Sequence, residues 1–427
     1  MIGYKLRECC AGCDESDFLN VLSLGEVPLA GVFPLKEELG IENTYPLNLL
    51  LCKKCKLVQT DSFIEPQILF EDYRYISSVG LSKHFESVAK SLDEKYDVSG
   101  LSMRRRLSIL EIGCNDGVLL EPLFKLGANV EGVDPAKNIV KLAKDKGLKV
   151  YEEYFNDETF GGEEFENKYD LVLSNNTFAH IPDIQSVVRG IKHVLKPSGD
   201  FIFEVHYLQS LIDGKQWDNI YHEHIFYHSI TGLNNLFNKY DMTLIDFEEI
   251  PIHSGSIRVT VTNSKRNHPP QKVLDRIELE SKTIANVEYL RSYGEDVRNH
   301  ITNFNNTIEE LQKNYTIAGY GASGRANMFC NLTDLNSNIV KFIVDESPER
   351  CGRYIANTDI PIVDVETLKN SDVDLLIIFA WNYSKMIIEK TQFAHKGLPI
   401  KKFKYLVAFP TIQLVDTYDE LKGFDSI

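Results

Sequence analysis

The hydrophobic pattern changes period twice in one stretch, and that stretch organises the middle of the chain. Residues 107–110 form an apolar run of strand length, and the polar turn that follows begins at Gly113. Apolar positions recur at helical spacing over residues 118–126, and a second apolar run, 130–133, ends in Asp134. This order predicts strand, glycine turn, helix, strand and carboxylate, the first unit of a doubly wound α/β sheet.

A second stretch, nearer the C-terminus, has the same order of elements. An apolar run at 316–320 leads into a glycine-rich turn at 321–325, a helical segment and another run, 342–344, that ends in Asp345. The pattern predicts a second Rossmann-like unit. Elsewhere the periodicity predicts helices at 82–96, 191–195 and 271–313, a strand from 169 that ends in Asn175 and Asn176, a strand at 200–205 and a turn at 197–199.

Composition narrows the class of protein. The 427 residues are 43% hydrophobic and 25% charged, with a net charge of −16, as expected of a globular protein with more than one domain. The negative charge argues against nucleic acid or an anionic membrane as the main partner. No apolar run reaches spanning length and the N-terminus lacks a signal-peptide pattern, so we expect a cytoplasmic protein. In that compartment we expect its eight cysteines to be free thiols or metal ligands rather than disulfides.

The N-terminal segment contains two matched cysteine pairs. Cys10 and Cys13 form one CxxC knuckle and Cys52 and Cys55 form another, which together supply four thiolates for a closed tetrahedral zinc site. Cys9 is an alternative to Cys10, but Cys10 gives both knuckles the same spacing. Reduced thiols or a redox pair would also fit the spacing. The complete ligand set favours a structural zinc, with an inserted subdomain between the knuckles.

The two glycine turns differ in charge. The first has Glu111 and Asp116 around it, a poor environment for pyrophosphate but a suitable one for a ligand with a ribose and a positive centre, such as S-adenosylmethionine (SAM). The second carries Arg325, which suits phosphate at a helix N-terminus. Because strand C-termini form the ligand edge of such sheets, the predicted cofactor residues are Glu111, Gly113, Asn115, Asp116, Asp134, Asn175, Asn176 and His180, the last three near the adenosine end.

The densest chemical cluster spans residues 217–228. Three histidines, a glutamate and two tyrosines fall within its last eight residues, 221–228, and His222-Glu223-His224 suggests a metal set. A metal site is one interpretation, but zinc helices place histidines at i and i+4, whereas these two stand at i and i+2. Acid/base chemistry fits better: a histidine oriented by a neighbouring carboxylate, with tyrosines near enough to bond an oxygen. A polar loop that packs on the sheet is the alternative without catalysis.

Taken in order, the motifs resemble the SAM-dependent C-methyltransferases of deoxysugar pathways. The resemblance covers nearly the whole chain and rests on the CxxC knuckles, EIGCNDGVLLE, GVDPA, NNTFAHIPD, FEV, IYHEH, GSIRV, YGASGRAN, GRYIANTDIPI and FAWNY. It implies a zinc-binding domain over 1–70, a SAM domain with its entry helix over 71–265, a helical linker over 266–313 and a Rossmann-like substrate domain over 314–427.

The resemblance also implies a reaction: transfer of the SAM methyl group to C3 of a nucleotide-diphosphate-linked 4-keto-deoxysugar through an enolate. His224 would be the base, with Tyr221, Glu223 and Tyr75 supporting it or binding the sugar. The nucleotide-sugar is expected between the SAM and C-terminal domains, at His222, Arg258, Gly321, Ser323 and Arg325. We expect a monomer or weak homo-oligomer.

The chain departs from the family pattern at Cys114, His206, Ser254 and Arg325, where the family usually has a small hydroxyl residue, Pro, Gly and Lys. The last two lie in the expected substrate surroundings, so the resemblance does not identify which sugar and which nucleotide the enzyme uses. Two alternatives remain on sequence grounds: an O- or N-methyltransferase of a similar sugar, and a non-catalytic interaction protein with the SAM fold.

Overall fold

The computed structural model describes residues 3–70, 76–100, 105–266, 268–393 and 402–423. The N-terminal region, residues 3–70, is mainly β structure, with elements β1 (Tyr4–Leu6), β2 (Phe18–Pro28), β3 (Thr44–Cys52), β4 (Val58–Thr60), β5 (Ser62–Ile64) and α1 (Pro66–Phe70). β2, β3 and β4 pair antiparallel in that order, and β1 pairs with β5. The β2–β3 pair supplies the insertion between the cysteine knuckles.

The central region, residues 76–266, is built on one large sheet. Its elements are α2 (Ser78–Tyr96), β6 (Ser108–Ile112), α3 (Leu120–Lys125), β7 (Asn129–Val133), α4 (Lys137–Asp145), β8 (Lys149–Tyr151), β9 (Tyr169–Asn175), α5 (Ile184–Val194), β10 (Leu195–His206), α6 (Leu208–Asp213), β11 (Phe226–Tyr227), α7 (Ile230–Asn238), β12 (Thr243–Ile250) and β13 (Ser256–Thr262).

The order of strands in this sheet is β12–β13–β10–β9–β6–β7–β8. β10, β9, β6, β7 and β8 are parallel, whereas β13 runs antiparallel to β10 and β12. The strand order reverses between β6 and β9: β7 and β8 follow on one side of β6, and β9 and β10 on the other. In such sheets ligands bind at the carboxyl ends of the strands beside this reversal. β11 lies outside this sheet and pairs with β4 of the N-terminal region. The sequence did not indicate this pairing.

The C-terminal region, residues 268–423, begins with α8 (Gln271–Lys282) and α9 (Val287–Leu311). The elements that follow are β14 (Ile317–Tyr320), α10 (Gly324–Leu332), β15 (Val340–Val344), β16 (Ile362–Val363), α11 (Val365–Lys369), β17 (Leu375–Ile378), α12 (Ser384–Phe393), β18 (Lys404–Val407) and β19 (Gln413–Val415). The sheet order is β16–β15–β14–β17–β18–β19, parallel except for β19. The second Rossmann-like unit is therefore confirmed.

Three local predictions need correction. The helix predicted over 271–313 is two helices, because Asn286 lies between them and its side chain accepts hydrogen bonds from the amides of Glu288 and Tyr289 in the first turn of α9. The turn predicted at 197–199 lies within β10, where the register with β9 shifts. The helix expected at 82–96 begins earlier, at Ser78.

α8 docks on the central region through a buried carboxylate. Glu280 is fully buried and accepts hydrogen bonds from Tyr207 Oη, the backbone N–H groups of Ile230 and Thr231, and the Thr231 hydroxyl. Its negative charge thus lies at the N-terminus of α7, where the helix dipole is favourable. Within the described residues, no helix combines the length and the apolar character that crossing a bilayer requires.

Candidate active site

The first glycine turn folds back over the adjacent strand. Gly113 has φ of 70° and donates its N–H to the carbonyl oxygen of Val133 at 2.8 Å. A Cβ atom at this position would lie 2.1 Å from Thr177 Oγ1, so both the backbone angle and the close approach require glycine. The turn follows the carboxyl end of β6, beside that of β7, which is the expected position for a bound ligand.

Asp134, at the end of β7, is oriented by backbone amides. Its two carboxylate oxygens accept hydrogen bonds from Asn115 N at 3.0 Å and Ala136 N at 2.9 Å, while burial raises its pKa. Asn115 has a left-handed φ of 50°, and its side-chain oxygen accepts the N–H of Ser77 just before α2. The predicted ribose acid is therefore held rigidly, and α2 is tied to the same turn.

Glu111 is a buried carboxyl group, 3% exposed. One oxygen accepts a hydrogen bond from Asn175 Nδ2 at 3.1 Å, and the other has no hydrogen-bond partner within the described structure. Burial, reinforced by nearby Asp134 and Asp116, raises its pKa to about 8. A carboxyl group with one unbonded oxygen, in an acidic turn, can stabilise a nearby sulfonium cation. These residues therefore fit SAM.

Three other predicted cofactor residues have separate surroundings. Asp116 is nearly fully buried and forms an ion pair with Lys146 at 3.1 Å, and Asn176 has φ of 53° and donates its N–H to Glu204 O. His180, expected near the adenosine end, instead has its ring centroid 5.1 Å from that of His224. The structure thus places His180 beside the candidate base, and its contact with the cofactor stays a prediction.

His224 has a defined orientation. Its Nδ1 lies 3.1 Å from the Asn219 carbonyl oxygen and its Nε2 lies 3.0 Å from Tyr221 Oη. Because a carbonyl oxygen only accepts, Nδ1 carries the proton and Nε2 the lone pair. Burial, and next the charge of His180, holds the pKa of His224 well below its ordinary value of 6.5. His224 is therefore a neutral base near pH 7, with Nε2 as the basic atom.

The carboxylate expected to orient this histidine does not do so. Successive residues point in different directions, and Glu223 Oε1 accepts the N–H of Gly31 in the N-terminal region at 3.3 Å. The orienting group is the Asn219 carbonyl. Tyr227, the second tyrosine of the predicted cluster, supports that carbonyl: its hydroxyl lies 3.4 Å from the same oxygen and accepts the Tyr221 N–H at 3.2 Å.

Several predicted substrate contacts have other partners. His222 is fully buried and its Nε2 donates to Pro46 O at 3.2 Å, which makes it a packing residue rather than a sugar contact. Arg258 was expected on an exposed side but binds buried Glu204 through Nε at 2.8 Å and Nη2 at 2.6 Å. Tyr75 lies outside the described residues.

The second glycine turn also differs from expectation. Arg325 Nε and Nη2 bind the buried carboxylate of Asp218 at 2.9 and 2.7 Å, and its guanidinium lies 4.7 Å from the centroid of the Trp381 ring. Gly321 donates its N–H to Val344 O, and the Ser323 hydroxyl caps α10. Arg325 is therefore a paired cation and not the free anion site that was expected. No local pattern identified Asp218 as the partner of Arg325, because the two residues are 107 positions apart in the chain.

The four predicted zinc ligands converge. The Sγ atoms of Cys10, Cys13, Cys52 and Cys55 all lie within 4.8 Å of one another, and the closest pairs are 3.5 Å apart. Zn–S bonds of about 2.3 Å in a tetrahedron place the sulfurs about 3.8 Å apart. These distances exclude disulfides, whose sulfurs are about 2.05 Å apart.

The two knuckles also share a backbone conformation. Asp14 and Lys56, the residues after each knuckle, both have φ of 64°, and their N–H groups donate to Cys10 O and Cys52 O. Cys9 is exposed, so the choice of Cys10 is confirmed. The four thiolates bind a structural zinc with no open coordination position.

Family models cover most of the chain. The model described as "Putative zinc binding domain" matches residues 10–70, "Methyltransferase domain" matches 82–246 and "C-methyltransferase C-terminal domain" matches 251–407. Their order is that of the three regions of the structure.

Among curated proteins, the chain is similar to the C-methyltransferase NovU of Streptomyces niveus, with 30% identity over 94% of this chain and 98% of the relative. It is also similar to the ubiquinone biosynthesis O-methyltransferase of Escherichia coli O127:H6, at 33% identity, but only over 22% of this chain and 41% of the relative. The first similarity spans all three regions, whereas the second is confined to part of the chain.

Solved structures resemble the chain more distantly. Magnesium protoporphyrin IX methyltransferase of Synechocystis with bound SAM has a TM-score of 0.33 and 16% identity, covering 44% of this chain and 81% of that chain. The PH0226 protein of Pyrococcus horikoshii has a TM-score of 0.36 and 20% identity, covering 47% and 99%. The family assignment rests on the sequence relatives: the chain belongs to the SAM-dependent C-methyltransferases that carry a zinc-binding N-terminal region and a Rossmann-like C-terminal region.

Proposed function

We propose that this enzyme methylates C3 of a nucleotide-diphosphate-linked 4-keto-deoxysugar through an enolate, with His224 as the base. The observation that carries the proposal is the orientation of His224, which directs a neutral Nε2 toward Tyr221 while Nδ1–H is bound to Asn219 O. A hydrogen next to a ketone is acidic enough for a histidine to remove when the enolate oxygen is stabilised.

The proton step uses groups of this chain. His224 Nε2 takes the C3 proton, the C3–H electron pair moves to the enolate, and the negative charge rests on the C4 oxygen. The Asn219 carbonyl stabilises the imidazolium that results, because it accepts from Nδ1–H. The Tyr221 hydroxyl, 3.0 Å from Nε2, must turn away from the base and is then available to donate to a substrate oxygen.

The acidic turn holds the methyl donor. Bound SAM supplies a methyl group on a cationic sulfur. Glu111 and Asp134 lie at the carboxyl ends of β6 and β7, where they favour that charge and the ribose hydroxyls. The role of these side chains is to fix the position of the donor relative to the sugar, because alignment is the main requirement for methyl transfer to carbon.

The sugar nucleotide is proposed to bind where the central and C-terminal regions meet. Asn219, which orients the base, follows Asp218, which binds Arg325 and Trp381 of the C-terminal region. The junction therefore lies close to His224. The turn at Gly321 and Ser323 borders it, although Arg325 is already paired and the diphosphate needs a further anchor.

The test follows hydrogen exchange at C3 apart from methylation. With S-adenosylhomocysteine in place of SAM, in deuterated water, the wild type should exchange the C3 hydrogen of thymidine-, GDP- or CDP-linked 4-keto sugars. His224→Asn should lower exchange and methylation by about 10²–10⁴-fold, the usual contribution of a general base. Calorimetry should show unchanged SAM affinity, because His224 is assigned to the sugar.

The matched control is His193→Asn on α5, where the ring binds Gly162 O. It should leave exchange unchanged. In wild type, the acid limb of kcat/KM should lie below pH 6.5, because the pKa of His224 is lowered and the neutral form is the active one. Product NMR showing methylation on oxygen or nitrogen without C3 exchange would contradict the proposal.

A further inference from the structure

The residues on both sides of His224 are bound by the N-terminal region. Before it, the ring of His222 lies with its centroid 5.7 Å from that of Tyr45 and donates from Nε2 to Pro46 O, and Glu223 accepts the N–H of Gly31. These contacts join residues that are far apart in the sequence. Each fixes a different side chain of the segment that carries the base.

After the base, the contacts are those of a β ladder. The N–H of Thr60 donates to Ile225 O at 2.9 Å, and Phe226 pairs with Gln59 in the β4–β11 ladder. Backbone pairing fixes the register of a strand and so the direction in which its neighbours point. The segment 222–226 is thus held at four of its five residues by the N-terminal region.

The N-terminal contacts are themselves anchored. Gln59 is fully buried, and its Oε1 accepts the N–H of Ala11, inside the first zinc knuckle, at 3.1 Å. The turn at 29–32 is held by Asn327, a fully buried residue of α10, whose Nδ2 lies within 3.3 Å of the carbonyl oxygens of Leu29, Ala30 and Val32. Zinc coordination and α10 therefore both stabilise the surface that binds 222–226.

The ring of His224 itself contacts polar groups of the central region, at Asn219 and Tyr221. We propose that the zinc-bearing N-terminal region positions the catalytic base, and that His222 is the principal positioning residue, with Asn327 acting at a distance through the 29–32 turn. This inference rests on the proposed function, because it takes His224 to be the base. It assigns the zinc region a role in the geometry of the reaction in addition to stability.

The test compares two substitutions at one position. His222→Leu removes the Nε2–H donor to Pro46, whereas His222→Gln offers an amide N–H in its place. We expect His222→Leu to lower kcat and C3 exchange by about 100-fold, the effect of misplacing a reacting group by about 1 Å. His222→Gln should recover much of the loss. SAM affinity and zinc content should not change in either variant.

The pH profile separates positioning from general damage. When segment 222–226 loosens, water reaches His224 and its lowered pKa rises toward 6.5, so the acid limb of kcat/KM should move up in His222→Leu. The matched control is Asn235→Leu, which removes a hydrogen bond between α7 and Cys55 O in the second knuckle, away from the base segment. It should lower stability without moving kcat or the acid limb.

Unchanged kcat and acid limb in folded His222→Leu would overturn the inference. So would equal losses in the Leu and Gln variants with a raised sugar KM, because His222 would then bind substrate. If His222→Leu does not fold, Asn327→Asp, which sets a carboxylate against three carbonyl oxygens, applies the same test from the C-terminal region. Absence of C3 exchange in the wild type would instead count against the proposed function.

Discussion

The two glycine turns share their main backbone hydrogen bonds. Gly113 donates to Val133 O in the central region and Gly321 donates to Val344 O in the C-terminal region, each at 2.8 Å. The acid that ends the next strand accepts two backbone N–H groups in both, from Asn115 and Ala136 at Asp134 and from Ala322 and Ser347 at Asp345. The turns differ in length, because α3 begins at Leu120 and α10 at Gly324, and in the side chains around them.

The side chains differ most clearly at the position two residues before each glycine. In the central region that position is Glu111, and Asn175 of the next parallel strand donates to it. In the C-terminal region the corresponding residue is Gly319. The strand registers make Phe379 the equivalent of Asn175, and a Cβ at Gly319 would lie 2.3 Å from the Phe379 ring. A polar pair in one turn is thus replaced by an aromatic ring in the other.

The helix that follows each turn also has different neighbours. The start of α10 packs on the N-terminal region, where a Cβ at Gly324 would lie 3.3 Å from Ala30, and Arg350 lies 3.4 Å from Asp345. In the central region carboxylates surround the turn. The comparison shows that strand–turn–helix geometry makes a turn available for a ligand, and that the surrounding side chains decide whether it binds one or packs against protein.

The largest effect should come from removing the aromatic ring. Phe379→Ala leaves a cavity under the C-terminal turn and should lower the free energy of unfolding by about 3–5 kcal/mol, the usual cost of a buried Phe→Ala change. Chemical denaturation measures this loss, and calorimetry should show unchanged SAM affinity. Weaker SAM binding in this variant would mean that the C-terminal turn takes part in the cofactor site.

The two acids provide a matched pair for the next effect. Asp134→Ala should weaken SAM binding by about 1–3 kcal/mol, because a charge-assisted hydrogen bond to the ribose is lost. Asp345→Ala removes a carboxylate with the same backbone contacts and should leave SAM affinity unchanged. Titration calorimetry on both variants tests the assignment, which fails if the two behave alike.

The smallest effect concerns protons. Burial raises the pKa of Glu111 to about 8, so at pH 7 the free protein holds it protonated, and the positive charge of SAM favours the ionised form. SAM binding should therefore release a proton, and affinity should rise with pH until about pH 8, by at most about tenfold per pH unit. Calorimetry in buffers of different ionisation enthalpy measures the release. Glu111→Gln should abolish it.

Local sequence determined much of the architecture and of the metal site. Matched CxxC knuckles fix the zinc ligands, because two residues between cysteines bring both sulfurs to one side of a tight turn. The two strand–turn–helix units and the ribose acid Asp134 followed from hydrophobic period and glycine position. The candidate base His224 came from the cluster of histidines and tyrosines and from the resemblance to a family. The order of the two units depends on residues close together in the chain.

Tertiary structure decided what those residues touch. Arg325 reads as a free cation in the sequence, but it lies against Asp218, 107 positions away. In the sequence His222 reads as a sugar contact and Glu223 as a carboxylate that supports His224, yet both bind the N-terminal region. They lie in a turn just before β11, and β11 joins the sheet of β4. Hydrophobic period reports which face of an element is buried, whereas the partner of a buried charge depends on how separate elements pack, and no local pattern encodes that.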